Sequence, residues 1–138
     1  MTRTLSFAPF SGGTAPVTDR QQVAAIVTAV VRATRAWGLD NGEAAALFDV
    51  SAPTWGRMKG GTFKGNLDRD KVTRASLIIG LYKGLRLLFN GPLTYGWPKQ
   101  PNRGVGFNGR TPVDVMIAGG IPAMVEVRRH IDALRGGA

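Results

Sequence analysis

Residues 40–64 constrain the fold most strongly, because their sequence, DNGEAAALFDVSAPTWGRMKGGTFK, predicts two short helices joined by a tight turn. Asp40 is a suitable N-cap, and Glu43 three residues later completes a capping box. Ser51 is a suitable N-cap for the second helix, which a glycine pair ends. The turn falls at Asp49, a residue type that tolerates the left-handed conformation better than most.

The apolar residues of this pair lie where a helix-turn-helix makes its internal contacts: Ala45, Phe48, Val50, Trp55 and Met58. The polar residues are left on the outer side of the second helix, which a helix-turn-helix lays in the major groove of DNA. The predicted DNA-binding residues are Ser51, Thr54, Arg57 and Lys59, with Thr62 and Lys64 in the turn that follows. Gly56 costs this helix roughly 1 kcal/mol relative to alanine, so other contacts must hold it. The alternative is an ordinary αα-hairpin with a polar outer face.

The charge of the chain favours a polyanionic partner. Its 138 residues include 18 Lys and Arg against 9 Asp and Glu, a net charge of +9. The segment between Asp70 and Asp114 has no carboxylate but contains Lys71, Arg74, Lys83, Arg86, Lys99, Arg103 and Arg110. Because a solvated helix face normally carries both signs, we expect this segment to face nucleic acid or an acidic protein surface.

Cysteine is absent and histidine occurs once, which limits the catalytic and metal sites that the sequence could form. The absence of cysteine excludes disulfides, thiolate metal sites and thiol nucleophiles. The single histidine, His130, follows two arginines on the predicted polar side of a helix, so we expect it to be exposed to solvent. Neither a glycine-rich phosphate loop nor a paired-carboxylate arrangement is present. We therefore expect no enzyme activity, no cofactor and no small-molecule substrate.

The sequence also predicts no membrane association. The most apolar run, residues 75–89, is interrupted by Lys83 and Arg86 and is shorter than the ~18–20 apolar residues that a span requires. The N-terminus lacks the apolar core of a signal peptide. We expect the protein to be cytoplasmic.

Two longer helices are predicted, an amphipathic one before the helix-turn-helix and the longest helix of the chain after it. Thr18 is the expected N-cap of the first, whose apolar stripe consists of Val23, Ile26, Val27, Val30, Val31 and Trp37. Asn66 or Asp68 caps the longest helix, which runs to about Phe89 and is apolar nearly all round in its second half. This helix is therefore the expected centre of the core. Gly80 and Gly84 share one of its faces and allow close approach of a helix from this chain or from a second copy.

The C-terminal third begins with a long loop. Residues 91–110 contain five glycines and three prolines, and Tyr95, Trp97 and Phe107 predict that this loop is docked and ordered. Thr111 caps a short helix that Gly119-Gly120 closes. Pro122 begins the last helix, with the apolar stripe Met124, Val127, Ile131 and Leu134 and an i, i+4 pair of Arg128 and Asp132.

These elements predict an all-α protein without internal repeats. Residues 1–17, rich in Thr, Ser, Gly and Pro, are expected to be a flexible arm. Residues 18–90 form a helical domain that contains the helix-turn-helix, and residues 91–138 form a second, smaller helical domain.

Several short motifs occur in order in this second domain: Trp97-Pro98, Pro101-Asn102, FNGRTP at residues 107–112, the Gly119-Gly120 turn, and Val127 with Ile131. With the helix-turn-helix before them, residues 40–136 resemble the Xre/MbcA/ParS antitoxin family. The resemblance implies a type II antitoxin that binds a RES-domain toxin, an enzyme that consumes NAD or transfers a group from it, and blocks its active site. It also implies binding of operator DNA through the helix-turn-helix, which regulates the antitoxin's own operon. We expect a homodimer.

The same resemblance places the toxin-binding surface between Trp97 and Arg135. The predicted toxin-binding residues are Trp97, Asn102, Arg103, Asn108, Arg110, Arg128 and Arg135. We expect the last three arginines to point outward, because the planar guanidinium pairs with carboxylates and stacks on aromatic rings at interfaces. The alternative is that these arginines only keep the surface soluble.

Two other functions fit the sequence. One is a helix-turn-helix transcriptional regulator with no toxin partner, in which residues 91–136 bind a ligand or form a dimer. The other is an RNA-binding protein, which the lack of an aromatic-rich RNA-binding signature makes the weakest of the three. A toxin gene beside the gene for this chain would distinguish the antitoxin from both.

Overall fold

The computed structural model describes residues 15–137, and this range is helical apart from short turns and one long loop. Its α-helices are α1 (Arg20–Ala36), α2 (Asn41–Phe48), α3 (Ala52–Gly60), α4 (Arg69–Leu88), α5 (Leu93–Gly96) and α6 (Pro112–Asp132). A 3₁₀ turn at Trp97–Lys99 follows α5, and a π-helical turn at Ala133–Gly137 follows α6. The predicted all-α fold is confirmed. Most of the predicted flexible arm lies outside the described residues.

The start of the described chain is held by a single antiparallel β-bridge. The Val17 N–H donates to the Leu67 carbonyl at 2.8 Å, and the Leu67 N–H donates to the Val17 carbonyl at 2.9 Å. Leu67 is fully buried, so this bridge fixes Val17, the last residue of the predicted arm, to the core. The N-cap of α1 is Asp19 and not the predicted Thr18, because the Asp19 carboxylate accepts the Gln22 N–H at 3.0 Å.

The long helix α4 is the centre of the core, as the sequence predicted. It begins at the predicted cap Asp68 and packs against α1, α2, α5 and α6. Its buried residues are Val72, Ala75, Leu77, Ile78, Leu81, Gly84 and Leu85. The buried cluster runs from Val23 in α1 through α4 to Ile131 in α6. The helix-turn-helix region and the C-terminal region therefore share one hydrophobic core.

The glycine face of α4 receives α6 of the same chain. A β-carbon on Gly84 would lie 3.2 Å from Ile131 Cγ2, and one on Gly80 would overlap the Arg128 guanidinium. The sequence predicted that a helix of this chain or of a second copy would pack against Gly80 and Gly84. In the structure the helix is α6 of this chain. Because the contacting residues advance together along both helices, α4 and the second half of α6 run in the same direction.

The last helix is interrupted once and ends in a wider turn. Thr111 caps α6 by accepting the Asp114 N–H at 3.1 Å, and Gly120 breaks the helix with φ 66° and ψ −152°. The predicted stripe residues Met124, Val127 and Ile131 are buried. The prediction that Leu134 completes this stripe is wrong, since its side chain is 54% exposed. The π-helical turn after Asp132 departs from the 3.6-residue period and rotates Leu134 away from the core.

Candidate DNA-binding and protein-binding surfaces

The helix-turn-helix geometry follows from the caps that the sequence contains. The Asp40 carboxylate accepts the Glu43 N–H at 2.7 Å, and the Glu43 carboxylate accepts the Asp40 N–H at 3.0 Å, which completes the predicted capping box. Asp49 adopts the left-handed conformation, with φ 58° and ψ 52°. Across the turn, the rings of Phe48 and Trp55 meet edge to face with their centroids 6.4 Å apart. The predicted pair of helices is therefore present with its internal contacts.

Arg74 of α4 holds the turn from behind. Its Nη1 donates to the Leu47 carbonyl at 3.0 Å, and its Nε donates to Asp70 Oδ2 at 3.0 Å. The first bond satisfies a carbonyl at the end of α2 and places a positive charge at that C-terminus, where the helix dipole favours it. Arg74, which the sequence assigned to the partner-binding basic segment, is thus a structural residue whose side chain is only 12% exposed.

The outer side of α3 exposes most of the predicted DNA-binding residues. Ser51, Arg57, Lys59, Thr62 and Lys64 are exposed, and Thr54 is half-buried. The side chains of four of them, Ser51, Thr54, Arg57 and Lys59, are engaged in hydrogen bonds within the chain. The Ser51 hydroxyl accepts the Thr54 N–H at 3.3 Å, and Arg57 Nη2 donates to the Thr54 hydroxyl at 3.1 Å. Lys59 Nζ donates to Asn41 Oδ1 at 2.9 Å, which ties α3 to the first turn of α2.

The other exposed positions of α3 carry no side-chain hydrogen-bonding group; they are Ala52, Pro53, Gly56 and Gly60. A β-carbon on Gly56 would meet no atom within 4 Å, so the space next to this part of the helix is open. Reading base edges requires donors and acceptors, whereas cationic side chains position a protein on phosphates. The arrangement of α3 is therefore better suited to phosphate contacts than to base contacts.

The carboxylate-free basic segment is partly neutralised by carboxylates from outside it. Lys71 Nζ lies 2.8 Å from Asp70 Oδ2, and Lys99 Nζ lies 2.7 Å from Glu43 Oε2. Burial raises the pKa of Asp70, but its hydrogen bonds and charge interactions with Lys71 and Arg74 outweigh burial and hold that pKa below its ordinary value. Lys83, Arg86, Arg103 and Arg110 form no ion pair with any residue in the described range.

The predicted loop at residues 91–110 contains α5 and the 3₁₀ turn, and its irregular part begins only at Gln100. The segment docks on α6 through an aromatic cluster. Trp97 is 7% exposed and Phe107 is 4% exposed, which confirms the predicted ordered loop. The His130 ring stacks on Trp97 with centroids 5.9 Å apart and meets Phe107 edge-on at 5.3 Å. The prediction that His130 is exposed to solvent is wrong, because its ring is half-buried in this packing. Trp97 is likewise inside the protein and supports the loop instead of presenting its ring to a toxin.

Asn102 closes the second half of the loop. Its N–H donates to the Arg110 carbonyl at 3.0 Å, and its carbonyl accepts the Gly109 N–H at 2.8 Å. Its side-chain Oδ1 accepts the Gly104 N–H at 2.7 Å. Asn102 therefore uses its polar groups to fix the loop, whereas Asn108 is exposed at a left-handed position with φ 55°.

The predicted toxin-binding arginines differ in exposure. Arg103, Arg110 and Arg135 are exposed. Arg110 Nε donates to the Phe107 carbonyl at 3.3 Å, which orients this side chain along the docked loop. Arg135 Nη1 lies 3.4 Å from Asp132 Oδ1. Arg103 and Arg110 belong to the loop that the aromatic cluster docks on α6, and Arg135 belongs to the turn after α6.

Arg128 is a different case. Its Nε lies 3.4 Å from Asp132 Oδ2, which confirms the predicted i, i+4 pair. The expectation that Arg128 points outward is wrong, because its guanidinium lies over Gly80 of α4 and its side chain is 21% exposed. The glycine leaves room for this group, so Arg128 contributes to the packing between α4 and α6.

The two candidate surfaces are connected by Lys99. Lys99 Nζ donates to Glu43 Oε1 at 2.8 Å and Oε2 at 2.7 Å, and this hydrogen-bonded pair raises the pKa of Lys99. Glu43 is at the same time part of the α2 capping box. The contact cannot be recognised in the sequence, because 56 residues separate the partners and no local spacing signals it.

Two negative findings apply to the described residues. No group of three or more His, Asp or Glu side chains there is arranged to hold a metal ion. No helix in the same range is long and apolar enough to cross a membrane.

The chain matches two family models. Residues 18–80 match the antitoxin Xre-like helix-turn-helix domain, and residues 85–137 match the antitoxin Xre/MbcA/ParS C-terminal toxin-binding domain. The boundary between the two matches falls inside α4, in keeping with the shared core.

The chain is also similar to the uncharacterised protein y4oB of Sinorhizobium fredii. The two are 32% identical over 129 residues, which cover 91% of this chain and 95% of that protein. No solved structure matches the chain significantly. The two domain matches together cover residues 18–137 apart from residues 81–84 of α4, and so the chain belongs to the Xre/MbcA/ParS antitoxin family.

Proposed function

We propose that this chain is a type II antitoxin that neutralises a RES-domain toxin by blocking its active site. The toxin would consume NAD or transfer a group from it, so that any enzyme activity belongs to the partner. The antitoxin would also bind operator DNA and repress its own operon, which places its action in the cytoplasm.

The observation that carries this proposal is that exposed arginines project from a docked loop and from the end of α6 in the C-terminal region. Arg103 and Arg110 emerge from a loop that buried aromatic rings and the Asn102 hydrogen bonds hold in place. Arg135 is exposed beyond the end of α6. A guanidinium fixed in advance loses little conformational freedom on binding and can pair in a bidentate manner with a carboxylate. This arrangement suits an inhibitor better than a surface whose arginines serve only solubility.

Operator binding would use α3 and the turn after it. Arg57, Lys59 and Lys64 are exposed on this side, and the open space at Gly56 of α3 permits close approach of a DNA backbone. Most of the affinity would then come from phosphate contacts and depend strongly on salt. A homodimer would double this surface and must use residues other than Gly80 and Gly84, which α6 already covers.

The direct test uses the product of the open reading frame next to the gene for this chain. We expect the two full-length proteins to co-purify, and we expect NAD consumption by the neighbour to fall to background at a stoichiometric amount of this chain. A neighbour that neither binds this chain nor acts on NAD would support the alternative, a helix-turn-helix regulator with no toxin partner. Electrophoretic mobility shift with the DNA upstream of the operon tests repression separately.

A further inference from the structure

A second exposed surface lies on the last turns of α4, apart from the loop at residues 97–110. Lys83, Arg86 and Leu87 are all exposed, and Arg86 and Leu87 lie three and four residues after Lys83, so they share one side of the helix. Leu87 is 71% exposed, although the neighbouring Gly84 and Leu85 are buried. A large apolar side chain beside two cations is a composition that suits a protein interface better than a purely solvated face.

Two tyrosines extend this surface onto α5. The rings of Tyr82 and Tyr95 are 6.1 Å apart between centroids, and Tyr95 is 41% exposed. The Arg86 guanidinium carbon lies 5.9 Å from the centre of the Tyr82 ring, so the ring orients the cation. Tyrosine and arginine are the residue types most enriched among the residues that dominate binding energy at interfaces. We call Tyr82, Lys83, Arg86, Leu87 and Tyr95 the α4–α5 surface.

The exposed Leu134 lies at the same end of the molecule. Gly80 faces Arg128 and Gly84 faces Ile131, so the C-terminal end of α4, which includes Leu87, lies near the end of α6 and the turn that follows it. The π-helical turn that carries Leu134 packs against α4. Each of these two neighbouring elements therefore has an exposed leucine next to an arginine: Leu87 and Arg86 on α4, and Leu134 and Arg135 on the turn.

The charge of the α4–α5 surface decides between possible partners. Neither Lys83 nor Arg86 pairs with a carboxylate of the described chain. In a twofold dimer the same patch meets itself, so a second copy would place these cations against each other. DNA would satisfy the cations but would leave Leu87 without an apolar contact. A partner protein with an acidic surface and an apolar recess would pair with the cations and would also bury Leu87.

We propose that the α4–α5 surface is a second docking site for the toxin, which binds an acidic region of that protein around an apolar recess that takes Leu87. This inference rests on the proposed function and extends it to residues outside the loop and α6. Arg86, Leu87 and Tyr95 lie within residues 85–137, the segment that matches the toxin-binding domain. The toxin would then contact two sides of the C-terminal region at once.

The test measures affinity between the full-length chain and the neighbouring gene product by isothermal titration calorimetry. We expect Arg86→Glu and Leu87→Ala each to weaken binding at least tenfold. Arg32→Glu, the same charge change on an exposed arginine of α1, should alter affinity less than twofold. Circular dichroism of each variant checks that helicity is kept, which the exposure of both positions predicts.

Three results would overturn the inference. Binding by Arg86→Glu and Leu87→Ala within twofold of the wild type would show that the toxin does not use this surface. A loss of self-association in Leu87→Ala, measured by analytical ultracentrifugation, would assign the surface to a second copy. Weaker operator binding by Arg86→Glu with unchanged toxin affinity would assign it to DNA. Failure of the wild-type chain itself to bind the neighbour would instead refute the proposed function, and this inference would fall with it.

Discussion

Lys99 Nζ lies 2.7 Å from Glu43 Oε2 and thereby joins the C-terminal loop to the first turn of the helix-turn-helix. The same carboxylate accepts the Asp40 N–H at 3.0 Å, so Glu43 caps α2 and binds Lys99 at once. One side chain therefore holds together the two surfaces that we assign to DNA and to the toxin.

The Lys99–Glu43 pair predicts unequal effects of its two partners on stability. Lys99→Met removes only an ion pair whose lysine is 38% exposed, so we expect a loss of about 0.2–1 kcal/mol. Glu43→Ala also removes half of the capping box and should cost a further 0.3–1.5 kcal/mol or so. Urea denaturation followed by circular dichroism measures both, with Lys83→Met as the control for loss of an exposed lysine. Equal losses for Lys99→Met and Glu43→Ala would contradict the double role of Glu43.

The burial pattern of α4 predicts opposite outcomes for two leucines on one helix. Leu81 is 2% exposed, so Leu81→Ala should destabilise the protein by about 2–5 kcal/mol. Leu87 is 71% exposed, and Leu87→Ala should change stability by less than about 0.5 kcal/mol. Thermal denaturation of the two variants tests the central position of α4. A loss below about 0.5 kcal/mol for Leu81→Ala would mean that α4 is peripheral.

Operator binding should depend on the cations of α3. The double variant Arg57→Ala, Lys59→Ala should bind the operator more weakly. The slope of log affinity against log salt concentration should become less steep by roughly 0.9 for each of the two phosphate contacts that are lost. Helicity should be kept because both side chains are exposed. The matched control replaces Arg32 and Arg129, which are exposed on α1 and α6. An unchanged affinity and slope in fluorescence anisotropy titrations would refute the assignment of α3 to DNA.

Asp70 predicts the direction of a pH effect. Because its pKa is lower in the folded than in the unfolded state, Asp70 stabilises the fold above about pH 4 and loses this contribution as the pH falls through the folded pKa. Asp70→Asn should therefore be less stable than the wild type at pH 7, by less than about 1 kcal/mol since the carboxylate is 39% exposed. Urea denaturation at pH 7 and pH 3 should show this difference shrink on acidification. A difference independent of pH would rule out the Asp70 ion pairs as its cause.

Local patterns predicted the secondary structure well. Caps such as Asp40, Asp68 and Thr111 act within three residues of the helix that they begin, so their effect is visible in the sequence. The apolar period of α1 and the shared face of Gly80 and Gly84 were equally local. The burial of Leu134 was wrongly predicted, because a π-helical turn changes the helical period at that residue.

The candidate sites were harder to predict because their side chains have distant partners. Arg74 and Lys99 read as free basic charges in the sequence, and Arg128 as paired only with Asp132, yet each is engaged by a residue of another element. His130 read as exposed because its aromatic partners Trp97 and Phe107 lie more than twenty residues earlier in the chain. A net charge can indicate the kind of partner, but only the folded chain shows which cations remain for it.

We propose that Arg110 and Arg135 on the C-terminal surface neutralise the toxin, and the NAD concentration in cells is a direct test of their role. NAD is measured in cells that express the neighbouring gene product alone, with the wild-type chain, or with the variant Arg110→Glu, Arg135→Glu. The variant Arg20→Glu, Arg32→Glu, which changes two exposed arginines of α1, is the matched control. We predict that the toxin depletes NAD and that the wild type and the control restore it. The Arg110→Glu, Arg135→Glu variant should fail to restore NAD while it keeps its helicity and operator affinity. Full restoration of NAD by this variant would contradict the account.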